Sequence, residues 1–414
     1  MTVTAALRLD PARLRARLEG FGRIGALPGG GVCRLALTDA DRAGRDHLVA
    51  EMQALGLTVT IDRIGNITGT RQGREDGPPV MIGSHIDSVA TGGLYDGTLG
   101  VVAGLEIAEA LNDADLTTRR PLAIAAFTNE EGARFAPDMM GSGVHQGALD
   151  LGAMLAVRGI DGAVLGDELA RIGHSGPAPC PGPTPAAYLE LHIEQGPVLE
   201  REGLDIAAVT GVQGISWTEM TIAGQSNHAG TTPMGLRRDA GLAAARITLA
   251  ARALAQTFGP PLVATVGVLE LSPGLTNVIP ETARLTVDLR HTDADTLTRA
   301  RAQLLAEAEV AAAEEGCALS TRSLADFPPV AFDPALVARI ETAARARGLR
   351  TGRMPSGAGH DAQMFAPNCP TAMVFVPSQA GLSHNIAEHT EPAQLAAGAQ
   401  VLADVALDLL EGTP

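Results

Sequence analysis

Cysteine is scarce in this 414-residue chain: Cys33, Cys180, Cys317 and Cys369 lie far apart and never form Cys-x-x-Cys. That spacing suggests neither a cysteine zinc site nor a redox pair, and nothing in it demands an oxidising compartment. Aromatic residues make up only 3%, so Val, Leu, Ile and Ala must fill the core. Basic residues are outnumbered, 31 Lys and Arg against 47 Asp and Glu, for a net charge of −16. Nucleic-acid binding needs a basic footprint, so that class is excluded. No run of about 18 uninterrupted apolar residues occurs, so no membrane span is expected. The N-terminal stretch MTVTAALRLDPARLRARLEG has no apolar core long enough for a signal peptide. The expectation is a cytoplasmic, soluble protein.

What is present is length and punctuation. The chain is long enough for a large core plus a second module. Its 48 Gly and 26 Pro are spread along it and read as turns between many short elements. Residues 38–55 predict a helix, with Thr38 and Asp41 as a capping-box start and Gly56 as the stop. LTVTIDR (57–63) predicts a strand, Gly65-Asn66 a turn and ITGTR the return strand. Four later segments share one pattern, a short apolar run ending in polar residues: PVMIGSHID (79–87), PLAIAAFTNEE (121–131), AAYLELHIEQG (186–196) and TAMVFVPSQAGLSHN (371–385). Interspersed with helical stretches such as 99–111, they predict buried parallel strands. In such sheets ligands bind beyond the carboxyl ends of the strands, where all four polar clusters fall. Residues 176–185, rich in proline, read as a loop before the third of these strands.

Residues 213–323 read differently. GISWTEMTIAG, LVATVGVLEL, TARLTVDLR and CALSTRSLA predict strands. A helix from Asp239 to Phe258, stopped by Gly259-Pro260-Pro261, and a second over 293–315 separate them, which is the split βαβ plan. Asp333-Pro334 then starts a helix that runs to about Gly348. The expected architecture is α/β: a mixed, largely parallel sheet flanked by helices, residues 1–211 and 327–414, with an inserted ferredoxin-like α+β domain at 212–326.

The polar clusters carry the chemistry. His85-x-Asp87 is followed by a glycine-rich turn with Asp96; imidazole and carboxylate are ligands for zinc and similar ions, and Asp87 is placed to orient the ring. Glu130-Glu131 are adjacent carboxylates that would repel if both were idle; one ligating metal and one handling a proton removes the conflict. His192 and Glu194 share a strand face, and Ser383-His384-Asn385 closes the fourth segment. Taken singly, each has a plain alternative: a satisfied core histidine, a turn aspartate, an exposed acidic turn. Together they exceed a closed tetrahedral site and suit two metals about 3.5–4 Å apart that share a bridging carboxylate. No G-x-S-x-G, H-E-x-x-H, P-loop or dinucleotide fingerprint occurs. In the inserted module, Asn227-His228-Ala229-Gly230-Thr231-Thr232-Pro233-Met234 is a polar loop whose plain reading is a hairpin connection. Arg290 suits bidentate carboxylate recognition or a surface position.

The blocks GSHIDSVATGGLYDGTLGVVAGLE, FTNEEGARF, LELHIEQGPVLE, NHAGTTPM, NVIP with DLR, SGAGHDAQ and VPSQAGLSHN stand in this order along the chain. They resemble the amidase (hydantoinase/carbamoylase) branch of the di-zinc aminoacylase-type metallopeptidase clan, from about residue 38 to the end. The resemblance implies two divalent ions per subunit, zinc or manganese, with cobalt or nickel as alternatives. It implies His85 and His192 on one ion, Glu131 and His384 on the other, and Asp96 bridging both. It implies Glu130 as general base, Asp87 orienting His85, and His228 stabilising the oxyanion from a partner subunit, hence a homodimer through the inserted lid domain. Asn277 and Arg290 would hold the substrate carboxylate, and Gln195 and Gly359 would line the pocket. The implied activity is removal of the N-carbamoyl group from an L-amino acid. Allantoate or ureidoglycolate hydrolysis and β-ureidopropionase activity are the alternatives, followed by a peptidase or deacylase or an inactive metal-binding protein. GVQGISW resembles the carbamoylases, where allantoate enzymes often carry a basic residue.

Overall fold

The computed structural model describes residues 7–412. Residues 1–6, part of the stretch read as lacking a leader, and residues 413–414 lie outside the described residues. The chain forms two compact units, one of residues up to Gly211 and from Ala331 onward, the other Val212–Val330.

The first unit is built on a nine-stranded sheet. Its middle four strands lie side by side in the order Leu122–Phe127, Val80–His85, Ala187–Ile193, Thr371–Val376, and every adjacent pair is parallel. These are the four apolar runs of the sequence, and every residue in them is buried. Sheets covered by helices on both faces need such continuous apolar strands rather than alternation. The edges are antiparallel: Ile67–Arg71 and Thr58–Ile61 extend one side, Ile206–Val212 the other. The largely parallel α/β architecture expected from the sequence is borne out.

Because the four strands run the same way, their carboxyl ends share one edge. Helix Thr98–Asp113 covers the sheet after the Asp96 turn and is buried nearly throughout. Helix Asp39–Ala54 starts where expected, with the Thr38 hydroxyl accepting the Asp41 amide. It carries the buried pair Arg45–Asp41 at 2.7 Å. Arg45 reaches on to the Gly65 carbonyl and the Thr128 hydroxyl, bracing the end of the Leu122–Phe127 strand. Helix Pro392–Glu411 is long and apolar enough to cross a membrane by length and composition. It packs instead on the central strands, with Leu395, Val401, Leu402 and Leu410 buried.

The second unit is a four-stranded antiparallel sheet, ordered Ala318–Phe327, Gly214–Ala223, Thr282–His291, Val263–Ser272. Helices Ala240–Phe258 and Ala294–Glu314 pack on one face, the split βαβ plan. Strict alternation along Thr282–His291 turns Ala283, Leu285, Val287 and Leu289 onto Ile247, Leu254 and Leu304. That alternation is the period-2 signature of a sheet with one covered face.

Candidate metal centre

The carboxyl ends of the central strands lead directly into the polar clusters. His85 is the last residue of its strand, and His192 the penultimate residue of its own. Glu130-Glu131 and His384 follow theirs in loops. Three loop residues, Asn129, Gln195 and His384, hold φ of 56°, 58° and 53°. Such left-handed backbone costs about 1–3 kcal/mol per non-glycine residue and clusters at functional sites. Here the loops are braced, for example by Asn129 donating to the Phe135 carbonyl at 2.7 Å.

Asp96 is the hub. Its Oδ1 lies 3.5 Å from His85 Nε2 and 3.3 Å from His192 Nε2, and its Oδ2 lies 3.6 Å from His384 Nε2. Glu131 stands 3.2 Å from His384 Nε2, and Glu130 3.3 Å from His85 Nε2. Three candidate ligand sets result: His85–Asp96–His192 and Asp96–Glu131–His384, which share Asp96, and Glu190–His192–His360 behind them. The donor atoms of each set lie within 4.8 Å of one another. The remaining ring nitrogens fix the tautomers. His85 Nδ1 donates to the Asp87 carbonyl at 3.0 Å and His192 Nδ1 to the Ile193 carbonyl at 2.9 Å, so that Nε2 of each ring faces Asp96, that of His192 also accepting the Gly97 amide at 3.1 Å. Imidazole nitrogens facing carboxylate oxygens at these distances share either a proton or a cation, and this mix of imidazole and carboxylate donors fits a divalent metal.

Gly97 makes the approach of Asp96 possible. It has φ 63°, and a Cβ there would stand 2.3 Å from His85 Nε2. Glycine supplies both the positive φ and the room that the imidazole needs there.

The sequence candidates otherwise fall as follows. His85, Asp96, Glu130, Glu131, His192 and His384 line one pocket of about 100 Å³, together with Gln195 and Gly359. A larger cavity of about 370 Å³, near Asp62, Thr70 and His145, holds none of these ligand sets. Gln195 also donates to Asp96 Oδ2 at 3.0 Å, joining the Ser383 hydroxyl at 2.8 Å. Asp87 meets His85 through its carbonyl; its carboxylate, 3.9 Å from the ring, takes the amides of Glu130 and Glu131. It therefore shapes two of the loops at once. Glu194 does not serve His192 but caps the helix Val198–Glu202 through the amides of Val198 and Leu199. His228, Asn277 and Arg290 belong to the second unit. There the His228 loop is stitched to the 277–279 segment by a bridge to Val278 and by the Ala229 amide on the Asn277 carbonyl. Arg290 is held by the Asp288 carboxylate at 2.9 Å. Sequence reading missed His360, whose buried ring packs edge-on to His192 and bonds Ser356, and Glu388, which lies beneath the Asp96 turn. The Gly-His-Asp run at 359–361 was a signal for the first; nothing periodic marked the second.

Charge follows burial and crowding. Burial pushes the Glu130 carboxyl well above its usual range, with Asp361, Glu131 and Asp87 adding to the rise and His85 opposing it. A hydrogen bond with Glu131 pushes His384 up to about 9, against burial. Metal ligands bind deprotonated. Below that value, therefore, an ion entering the Asp96–Glu131–His384 set expels a proton, and affinity rises with pH toward about 9. Calorimetric titration with zinc or manganese near neutral pH, in buffers of differing ionisation enthalpy, should show proton release. Heats independent of buffer would contradict this.

Strand ends that gather two imidazole–carboxylate sets around one aspartate define a metal-dependent hydrolase built on an α/β sheet. The chain belongs to peptidase family M20/M25/M40, whose model matches residues 81–408. Membership implies a pair of divalent ions, as the two ligand sets that share Asp96 do. The chain is 41% identical to an N-carbamoyl-L-amino-acid amidohydrolase of Rhizobium meliloti over 98% of its length and 97% of that protein's. It is 37% identical to the allantoate amidohydrolase of Escherichia coli K12, over 93% and 95%. A crystal structure of a hydantoinase/carbamoylase family amidase from Burkholderia multivorans superposes with a TM-score of 0.96 at 44% identity, covering 99% of this chain and all of that one. The resemblance read from the motifs is borne out.

Proposed function

We propose that the protein hydrolyses N-carbamoyl-L-amino acids, consuming one water and giving the free amino acid, ammonia and carbon dioxide. The observation that carries the reading is Asp96, common to both ligand sets, with Glu130 beside His85 in the same pocket. The substrate class is supported by the likeness to carbamoylases along nearly the whole chain. In this reading His85, His192 and Asp96 hold one ion, and Glu131, His384 and Asp96 the other. Bound there, the pair supplies Lewis-acid polarisation of the ureido carbonyl and a water of lowered pKa. Zinc and manganese both suit imidazole and carboxylate donors. Glu130 takes the proton of the attacking water and returns it to the leaving nitrogen. Asp87 keeps His85 and the Glu130-Glu131 backbone in place.

His228 Nδ1 accepts the Gly230 amide at 3.0 Å, which leaves Nε2 as the protonated nitrogen, the one suited to an oxyanion. Asn277 and Arg290 receive the substrate carboxylate, and Gln195 and Gly359 line its pocket. The experiment that tests this reading is steady-state kinetics of Arg290→Ala on an N-carbamoyl-L-amino acid. Losing a charged hydrogen-bond pair worth about 1.5–3 kcal/mol should raise KM by about 10–100-fold and largely spare kcat. An unchanged KM removes the clamp.

The same reading makes the protein a homodimer through the inserted unit, with His228 acting in the partner's site. Val263–Ser272 is an edge strand of its sheet, and it carries exposed apolar side chains. Val263, Leu269 and Leu271 on the strand are exposed, and so is Leu249, 71% exposed, on the helix Ala240–Phe258 that packs against that strand. Unpaired apolar edges of this kind invite a second chain. Leu249→Glu should yield monomers by light scattering and lower kcat about a hundredfold, the worth of one oxyanion donor. A fully active monomer would contradict it. A cytoplasmic location accords with four free thiols.

A further inference from the structure

Two loops carry the shared aspartate and His384, and they are laced to each other. The Thr91 hydroxyl donates to the His384 carbonyl at 3.3 Å, and the Ser383 hydroxyl to Asp96 Oδ2 at 2.8 Å. Glu388, only 6% exposed, reaches from the His384 loop to the Asp96 turn. Its Oε1 accepts two successive backbone amides, Tyr95 at 2.9 Å and Asp96 itself at 3.3 Å. The fit is close enough to forbid a side chain opposite: a Cβ on Gly93 would stand 2.0 Å from the Glu388 carboxyl carbon. Glu388 belongs to neither of the ligand sets that share Asp96. Yet its second oxygen, Oε2, is buried with no hydrogen-bond partner. A buried orphan acceptor costs about 1–3 kcal/mol, more when charged, and calls for a reason.

We propose that Glu388 is a positioning residue of the metal centre. By holding the amides of Tyr95 and Asp96 it sets the backbone from which the Asp96 carboxylate faces both ligand sets, and it fastens that turn to the loop bearing His384. Outer partners of this kind set ligand orientation, and their loss typically weakens metal binding by about 10–100-fold. The orphan Oε2 fits this role, because a carboxylate next to an aspartate is tolerable where cations gather and wasteful in a plain turn.

The inference rests on Asp96 being the shared ligand, so its test reads metal binding rather than turnover. Zinc or manganese is titrated calorimetrically into metal-free wild type, Glu388→Ala, Glu388→Asp and Glu388→Gln. Glu388→Ala should bind about 10–100-fold more weakly. Glu388→Gln, which keeps an acceptor oxygen at the same reach, should recover most of that loss. Glu388→Asp is one methylene too short and should resemble the alanine variant, standing in for it should that variant fail to fold. Wild-type affinity in the alanine or aspartate variant, or a glutamine variant as weak as alanine, overturns the proposal. A wrong substrate assignment would leave these affinities untouched, whereas a wild type that binds no ion would overturn the two-metal reading along with this one.

Discussion

Glu130→Gln will bind metal with wild-type stoichiometry and lose turnover by about 10²–10⁴-fold, the usual worth of a positioned general acid–base. The expectation comes from geometry. Glu130 lines the pocket 3.3 Å from His85 Nε2, yet it stands in neither ligand set built on Asp96. Glutamine keeps the shape and cannot carry the proton. Its neighbour Glu131 is committed elsewhere, 3.2 Å from His384. The two adjacent carboxylates thus face different histidines, as the proposed division of labour needs. Metal content by elemental analysis, together with single-turnover rates, checks this. Retained activity would remove Glu130 from its role, and lost metal would make it a ligand.

Asp96→Ala should be more severe, because one side chain serves both sets. His85 and His192 would keep two imidazoles without their carboxylate, and Glu131 and His384 would be left as a pair. Stoichiometry should fall below two ions per chain. Loss of several kcal/mol of Lewis-acid stabilisation, at about 1.4 kcal/mol per decade, predicts a rate about a thousandfold or more below wild type. By contrast, Glu131→Ala or His192→Ala each strips one set and should leave the other ion detectable. Two ions retained in Asp96→Ala would contradict the shared-ligand reading.

The central fold was legible because its physics is written in runs. Four apolar segments fully buried on both faces cannot be surface strands, and their polar ends fell on one edge once the strands ran parallel. The inserted unit was legible through the opposite signal, strict alternation with one covered face, as in Thr282–His291. The helices Met140–His145 and Leu151–Leu155 were not read, since they span barely more than a turn and such segments show no period, whereas Leu165–Ile172 was overlooked although Leu165, Leu169 and Ile172 carry the helical spacing. Glu388 was invisible for a related reason: it acts by accepting backbone amides of a distant loop, and sequence spacing does not encode such a contact. Asp87 meets His85 through its carbonyl, leaving its carboxylate for the amides of Glu130 and Glu131. Backbone groups have no sequence signature. Arg290 suits a carboxylate, and the structure already gives it one from Asp288, a side chain that lies two residues away on the same strand face.

The most direct test of the whole account is ammonia release by purified protein reconstituted with zinc or manganese. The substrates are N-carbamoyl-L-amino acids, their D-forms, N-carbamoyl-β-alanine, allantoate and an N-acetyl amino acid as the blank. Metal-dependent release is expected, fastest from an N-carbamoyl-L-amino acid and absent from its D-form. Faster release from allantoate would keep the metal centre and move the substrate; no release from any ureido compound, with both ions bound, would contradict the account.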